Sequence, residues 1–118
     1  MAANPVVPTR ELQLSTEKKS EETIVHGTGK ITSATSDLLQ STLRGLIPGA
    51  KRIVLDLTEV DYIDSSGLGA LVSVYVAASK AHCDLELANP KSRIKDLFKM
   101  TKLGSVFEGH GESHYGGM

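Results

Sequence analysis

The chain has 118 residues, the usual length of one domain with a single hydrophobic core. Its 13 Lys and Arg and 14 Asp and Glu side chains leave a net charge of −1, which gives no general reason to expect a nucleic acid or an anionic membrane as partner. The first residues lack the pattern of a secretion signal, and no apolar run approaches the ~20 residues of a membrane span. We therefore expect a soluble, cytoplasmic protein with no membrane span.

The chain opens with a predicted β-hairpin. Residues Glu11–Ser15 alternate between apolar and polar side chains, and residues 22–29 (ETIVHGTG) have the composition of a second strand. The charged segment between them places the turn near residues 18–21.

A helix and a buried strand are predicted next. Three leucines recur at helical spacing, namely Leu39, Leu43 and Leu46. The dipeptide at Pro48 and Gly49 ends this helix. Residues 52–57 (RIVLDL) form a short apolar run that is typical of a strand buried on both faces of a parallel sheet.

The second half of the chain continues the alternation. A second helix is predicted from Ser65 to about Ala81, followed by a strand at residues 84–88 (DLELA) and a third helix within residues 89–100. A last short strand is predicted around Val106 and Phe107. The order predicts an α/β fold: an N-terminal β-hairpin, then alternating α and β elements, with about five strands in a mixed sheet and the helices packed on it.

The folded domain is predicted to occupy residues 9–108. Residues 1–8 contain two prolines and are expected to be disordered, and residues 109–118 are expected to form a flexible, glycine-rich tail. Within the domain, Cys83 has no second ligand at metal-site spacing, and in the tail His110 and His114 stand among glycines. No metal site is therefore predicted.

One junction between a strand and a helix carries an unusual set of polar residues. In DLTEVDYIDSSGLGAL, residues 56–71, the connection leaves the carboxyl end of a buried strand, where open α/β sheets place their sites. Asp64 or Ser65 can cap the following helix, and Gly67 allows close approach of another backbone. Helix capping explains one acid or one hydroxyl, but it does not require Asp64, Ser65, Ser66 and Gly67 together.

This segment resembles the signature of STAS domains, and in particular that of the bacterial anti-sigma factor antagonists, in which D-S-S-G-L-G opens a helix. The resemblance extends over nearly the whole chain. It implies a binding protein, not an enzyme, with no cofactor and with an anti-sigma factor that is also a serine kinase as its partner. The kinase would phosphorylate Ser65, the first serine of D-S-S-G, and so release the antagonist, and a metal-dependent serine/threonine phosphatase would restore binding.

The resemblance also implies a partner-binding surface around Ser65. Its expected members are Thr32, Ser33, Asp64, Ser65, Ser66, Gly67 and Leu68. Ser65 is predicted to be exposed and Ser66 to turn inward or to cap the helix, while Gly67 and Leu68 form part of the docking surface. Asp61 and Asp64 are expected to make this surface acidic, so that phosphorylation adds charge of the same sign.

Two departures from the family pattern keep an alternative open. Thr32 stands where the antagonists commonly carry the Asp of G-x-L-D, and a glycine-rich tail replaces the last helix of the family. Threonine can cap a helix, but it carries no charge. The alternative is a nonswitching STAS interaction module of a multiprotein signalling or lipid-transport assembly. A third possibility is an enzyme or nucleotide-hydrolysing domain, but the motifs G-x-x-x-x-G-K-[ST] and G-x-S-x-G are absent. The expected oligomeric state is a monomer or a weak dimer.

Overall fold

The structure, a computed structural model, describes residues 11–101. In chain order the strands and α-helices are β1 Leu12–Lys18, β2 Glu22–Ile31, α1 Ser36–Leu46, β3 Arg52–Ile63, α2 Ser65–Lys80, β4 Asp84–Ala88 and α3 Ser92–Thr101. A short 3-10 turn, Ile47–Gly49, ends α1 at the predicted Pro-Gly dipeptide. The predicted α/β fold is confirmed. The predicted fifth strand around Val106 and Phe107 and both predicted terminal segments lie outside the described residues.

The four strands form one mixed sheet in the order β1-β2-β3-β4. β1 and β2 form the predicted antiparallel hairpin, whose turn is closed by the Lys19 N–H, which donates to the Glu22 carbonyl at 2.8 Å. β2, β3 and β4 are parallel, and the two crossovers between them run in the same direction along the sheet. Right-handed crossovers of this kind put α1 and α2 on one face, where the two helices pack against each other.

The hydrophobic core is filled from every strand and helix of the described chain. Its fully or almost fully buried side chains include Leu12, Val25, Leu39, Leu43, Leu55, Leu71, Leu87 and Phe98. Phe98 is the largest of the fully buried side chains and anchors α3, which packs against β3. The leucines predicted to mark one face of α1 occupy this core at Leu39 and Leu43, while Leu46 is partly buried against it.

β3 is six residues longer than predicted, because it runs through TEVDYI to Ile63. The pairing of β2 with β3 is irregular at two points, within Asp56–Glu59 and within Val60–Tyr62 of β3. At each point β3 has one residue more than β2, which is a β-bulge. These bulges break the alternation of buried and exposed side chains. A polar segment that has the composition of a loop is therefore held in the sheet by its pairing with β2.

The second irregularity depends on Gly29. This residue has a φ of +121°, and a Cβ placed on it would lie 2.0 Å from the Glu11 carbonyl oxygen. The same oxygen accepts a hydrogen bond of 2.6 Å from the Lys30 N–H. Only glycine combines this backbone conformation with so close an approach, and it fixes the path of β2 toward its carboxyl end.

Candidate functional site

The site is assembled where β2 and β3 end side by side. Ile31 and Ile63, the last residues of these strands, are partners in the parallel register. The Asp64 N–H donates to the Ile31 carbonyl at 3.1 Å, and α2 begins at the next residue. The connection between β3 and α2 is therefore a single residue. The loop of residues 32–35 that follows β2 is brought next to it.

Asp64 caps α2. Its backbone is extended, and its Oδ1 accepts a hydrogen bond of 2.8 Å from the Gly67 N–H. Gly67 is buried against the end of β2, where an added Cβ would lie 2.2 Å from the Ile31 carbonyl oxygen. The acid and the glycine of D-S-S-G thus fix the start of α2 against the sheet.

Both serines between them are exposed. The exposure of Ser65 agrees with its predicted position, but the prediction that Ser66 turns inward or caps the helix is wrong. Asp64 already occupies the capping position, and Gly67 is the residue of the first turn that faces the sheet. Leu68 follows Gly67 on the side of α2 that faces the sheet, so it is almost fully buried and packs in the core. Gly67 and Leu68 are therefore not exposed in the described chain, and their expected part in partner binding stays a prediction.

The loop after β2 is organised by a buried threonine that the sequence did not single out. Thr35 is fully buried, and its Oγ1 accepts from the Thr32 N–H and donates to the Lys30 carbonyl, both at 2.9 Å. Thr32 is half-buried and its Oγ1 accepts from the Ala34 N–H at 3.1 Å, so it stabilises the loop. Thr32 does not cap α1, which starts at Ser36. Ser33, between them, is exposed.

The charge near the site differs from the expected acidic surface. Asp61, which lies in β3 two residues before its end at Ile63, forms an ion pair with Lys91. The hydrogen bond and the charge of Lys91 hold the pKa of Asp61 below its usual value, and the charge of Lys30 acts in the same direction. Lys91 counters the charge of Asp61, and within residues 11–101 the carboxylate of Asp64, which directly precedes Ser65, forms no ion pair.

A second polar cluster lies in the sheet, and the sequence did not reveal it. His26 lies between two carboxylates: its Nε2 is 3.2 Å from Glu17 Oε1 and its Nδ1 is 3.0 Å from Asp56 Oδ2. Hydrogen bonds to Glu17 and then to Asp56 raise the pKa of His26. Partial burial raises the pKa of Asp56, but hydrogen bonds from Thr58 and His26 outweigh it and lower that pKa.

The His26 cluster should make stability depend on pH. A histidine whose pKa is higher in the folded state than its ordinary 6.5 contributes stability below that value and loses the contribution as pH rises through the folded pKa. We expect the difference in unfolding free energy between wild type and His26→Gln to shrink as pH rises from about 6 to about 8. The change should be small because the side chain is partly exposed. Urea unfolding across that range measures it, and a constant difference would contradict the prediction.

Other chemistry has little support in the described part of the chain. Among residues 11–101, no three His, Cys, Asp or Glu side chains are placed to hold a metal ion. Cys83 is buried, and burial raises the pKa of its thiol above the ordinary value, with the charge of Asp84 adding to the effect. None of the described helices combines the length and apolar character needed to cross a bilayer.

The fold is that of known anti-sigma factor antagonists. The solved structure of SpoIIAA in its unphosphorylated form matches with a TM-score of 0.68 and 16% identity over 78% of this chain and 83% of that one. The phosphorylated form of the Bacillus protein SpoIIAA matches with a TM-score of 0.64 and 17% identity, over 78% and 86%. Similarity at this level of identity establishes the α/β architecture, a hairpin-led mixed sheet with helices packed on it.

Sequence relatives identify the family. The STAS domain profile matches residues 13–115, and the chain belongs to the STAS domain family. A Bordetella bronchiseptica protein described as an anti-sigma factor antagonist, BtrV, is 30% identical over 67% of this chain and 69% of its own length. The anti-sigma-B factor antagonist of Listeria monocytogenes is 37% identical over 46% of this chain, a match that spans 47% of the Listeria protein. Within the family, the chain is of the anti-sigma factor antagonist type.

Proposed function

We propose that this chain is an anti-sigma factor antagonist whose binding is switched off by phosphorylation of Ser65. Its partner is an anti-sigma factor with serine kinase activity. When the antagonist binds this anti-sigma factor, the sigma factor is released for transcription. The observation that carries the proposal is the placement of Ser65, which is the exposed first residue of α2, directly after the capping Asp64. Relatives named as anti-sigma factor antagonists support it.

The position of Ser65 suits a reversible modification. The kinase transfers the γ-phosphoryl group of ATP to Ser65 Oγ, which loses its proton, and ADP leaves. The phosphoryl group adds a charge of about −1.5 to −2 and three acceptor oxygens. At the start of a helix the free N–H groups and the helix dipole stabilise such an anion, so the modified protein keeps its fold. The existence of both forms of SpoIIAA, a protein of the same fold, supports this expectation.

The same charge would act against the partner. The exposed serines at positions 33, 65 and 66 present neutral hydroxyls, so a partner can approach closely before modification. After modification the partner meets a dianion next to Asp64. Unfavourable charge placement across an interface can cost several kcal/mol, and about 3 kcal/mol is already more than a hundredfold in affinity. A metal-dependent serine/threonine phosphatase would hydrolyse the phosphoester and restore binding.

One observation favours the nonswitching alternative. The Thr32 hydroxyl, which stands at the position of the family's Asp, is held by the Ala34 N–H and carries no charge. If a carboxylate there is needed for phosphorylation, the chain would bind its partner constantly, as an interaction module of a signalling or lipid-transport assembly. In both cases the chain acts by binding and not by catalysis.

The test uses the adjacent serine as a matched control. The wild type, Ser65→Ala and Ser66→Ala are incubated with ATP and an anti-sigma factor kinase from the same genome, and their intact masses are measured. We expect one phosphoryl group on wild type and Ser66→Ala and none on Ser65→Ala. Phosphorylated wild type should bind the kinase at least a hundredfold more weakly.

Other outcomes separate the alternatives. Loss of the modification in Ser66→Ala, with retention in Ser65→Ala, would show that the acceptor is the second serine. Tight binding of the kinase without any modification would favour the nonswitching module. Absence of both binding and modification would contradict the proposed function.

A further inference from the structure

A groove beside the candidate site has an apolar floor. It lies between the carboxyl end of β3 and α3, has a volume of about 510 Å³, and is lined in part by Tyr62, Ile63, Arg93, Leu97 and Met100. Tyr62 is 45% exposed and Met100 is 80% exposed. They are two of the three large hydrophobic side chains that are exposed within residues 11–101, and both lie in this groove.

This groove continues toward the switch site. A second depression of about 530 Å³ shares Tyr62 and Arg93 with the first and extends to Lys30 and Thr32. Thr32 belongs to the loop beside α2. Ile63, which lines the apolar depression, is followed in the chain by Asp64 and Ser65. The two depressions, which we call the α3 groove, therefore adjoin both the loop of Thr32 and the end of β3 from which α2 begins.

Two cations in the α3 groove are available to an incoming group. Within the described part of the chain, neither Lys30 nor Arg93 forms an ion pair with a carboxylate. Two acids, Glu11 and Asp61, also line the second depression, and both already have interactions. Asp61 is paired with Lys91, and Glu11 takes part in a further contact.

Charged side chains line both depressions. Arg93 and Asp96 line the apolar depression with Leu97 and Met100, and Arg93 and Lys30 line the second depression with Thr32. Arg93 therefore lies where the two depressions meet, beside apolar side chains in one and beside Lys30 in the other.

We propose that the α3 groove is a second docking site for the partner and that it takes a protein segment with a carboxylate next to a large apolar side chain. The proposal rests on the proposed function, because it extends the partner surface around Ser65. The carboxylate contacts Lys30 and Arg93, whose guanidinium can bind it with two parallel hydrogen bonds. The apolar side chain covers Tyr62, Leu97 and Met100 and removes their surface from water. The groove thereby adds affinity and selects for acidic partner segments.

The test requires neither the kinase nor ATP. Short random peptides displayed on phage are selected on the immobilised full chain, and a synthetic peptide of the enriched sequence is titrated by calorimetry. We expect Asp or Glu next to Leu, Phe or Met in the enriched peptides. Arg93→Glu should weaken the peptide at least tenfold, since it places like charges in contact. Met100→Ser, an exposed position whose replacement leaves the core intact, should also weaken it.

Lys99→Glu is the matched control, because it makes the same change of charge on the same helix at an exposed position that lines neither depression. It should leave the peptide affinity unchanged. The peptide should also compete with the anti-sigma factor for the chain. Failure to compete would overturn the assignment of the α3 groove to the same partner.

Further outcomes overturn the proposal. Enriched peptides without an acid, or equal weakening by Arg93→Glu and Lys99→Glu, would contradict the chemistry assigned to the groove. No enriched peptide at all would mean that the groove is not open to a partner, as when another part of the chain or a second copy covers it. Failure of Ser65 phosphorylation alongside a specific peptide would refute the switch and not the groove.

Discussion

Replacing Gly67 with alanine is expected to destabilise the protein by about 3 kcal/mol, as overpacking against a rigid neighbour does. The added Cβ would lie 2.2 Å from the Ile31 carbonyl oxygen and 2.7 Å from its carbonyl carbon. Both are backbone atoms of β2, so no side-chain rotation relieves the contact, and the start of α2 must move away from the sheet. Urea unfolding of Gly67→Ala against wild type measures the loss.

Gly69→Ala is the matched control for this prediction. It makes the same chemical change two residues later in α2, at an exposed position where an added Cβ has no neighbour within 4 Å. Because alanine is the better helix former, Gly69→Ala should stabilise the protein by about 0.5–1 kcal/mol. A loss of stability in both variants would show that α2 does not tolerate an added methyl group at either position, and that the contact with Ile31 is not what distinguishes Gly67.

The opposite signs expected for these two glycines bear on the meaning of D-S-S-G-L-G. Gly67 and Leu68 face inward, and Asp64 binds the Gly67 N–H. These three residues position α2, while Ser65 and Ser66 point to solvent. The motif therefore has a structural part, which holds the helix start against β2, and an exposed part, which is available for modification.

Local signals in the sequence predicted the elements that depend on local structure. The start of α2 at Ser65 and the bounds of β4 at residues 84–88 agree with the structure. A capping acid before an apolar helix and a short alternating run are contained in a few neighbouring residues. The carboxyl half of β3 was missed because TEVDYI is polar. It is a strand because β2 pairs with it through two bulges, and that pairing involves residues about thirty positions away.

The same distinction explains the errors at the site. Which side of the first turn of α2 faces the sheet depends on where β2 ends at Ile31. The sequence alone therefore did not show that Gly67 and Leu68 are buried while Ser66 is exposed. The contacts of His26 with Asp56 and of Asp61 with Lys91 also join distant parts of the chain. The sequence TSAT, residues 32–35, indicates that one of its hydroxyls hydrogen-bonds to the loop backbone. It does not show that this residue is Thr35 or that Thr35 is buried.

The buried acid of β4 leads to the second large prediction. Glu86 is 5% exposed, and its Oε2 lies 3.1 Å from Arg52 Nη1 at the start of β3. Arg52→Met removes the arginine charge from beside this buried carboxylate. Removing one partner of a buried ion pair is strongly destabilising, and because the arginine is 41% exposed we expect a loss of about 2–3 kcal/mol.

The neighbouring lysine provides the control. Lys51 Nζ lies 3.5 Å from Glu21 Oε2, with the two side chains 76% and 67% exposed. Exposed pairs contribute little, so Lys51→Met should change the unfolding free energy by less than about 0.5 kcal/mol. Equal losses in the two variants would mean that general surface charge, and not the burial of Glu86, determines the effect.

A double variant identifies the cause of the loss. In Arg52→Met/Glu86→Leu the buried carboxylate and the arginine are both replaced by apolar groups. Most of the stability lost in Arg52→Met should return, because the cost came from keeping a buried carboxylate after its attraction to Arg52 was removed. Guanidinium unfolding of the wild type, both single variants and the double variant completes the cycle. If the double variant is no more stable than Arg52→Met, then the arginine stabilises β3 through the packing of its aliphatic stem, and the ion pair with Glu86 is not what the strand depends on.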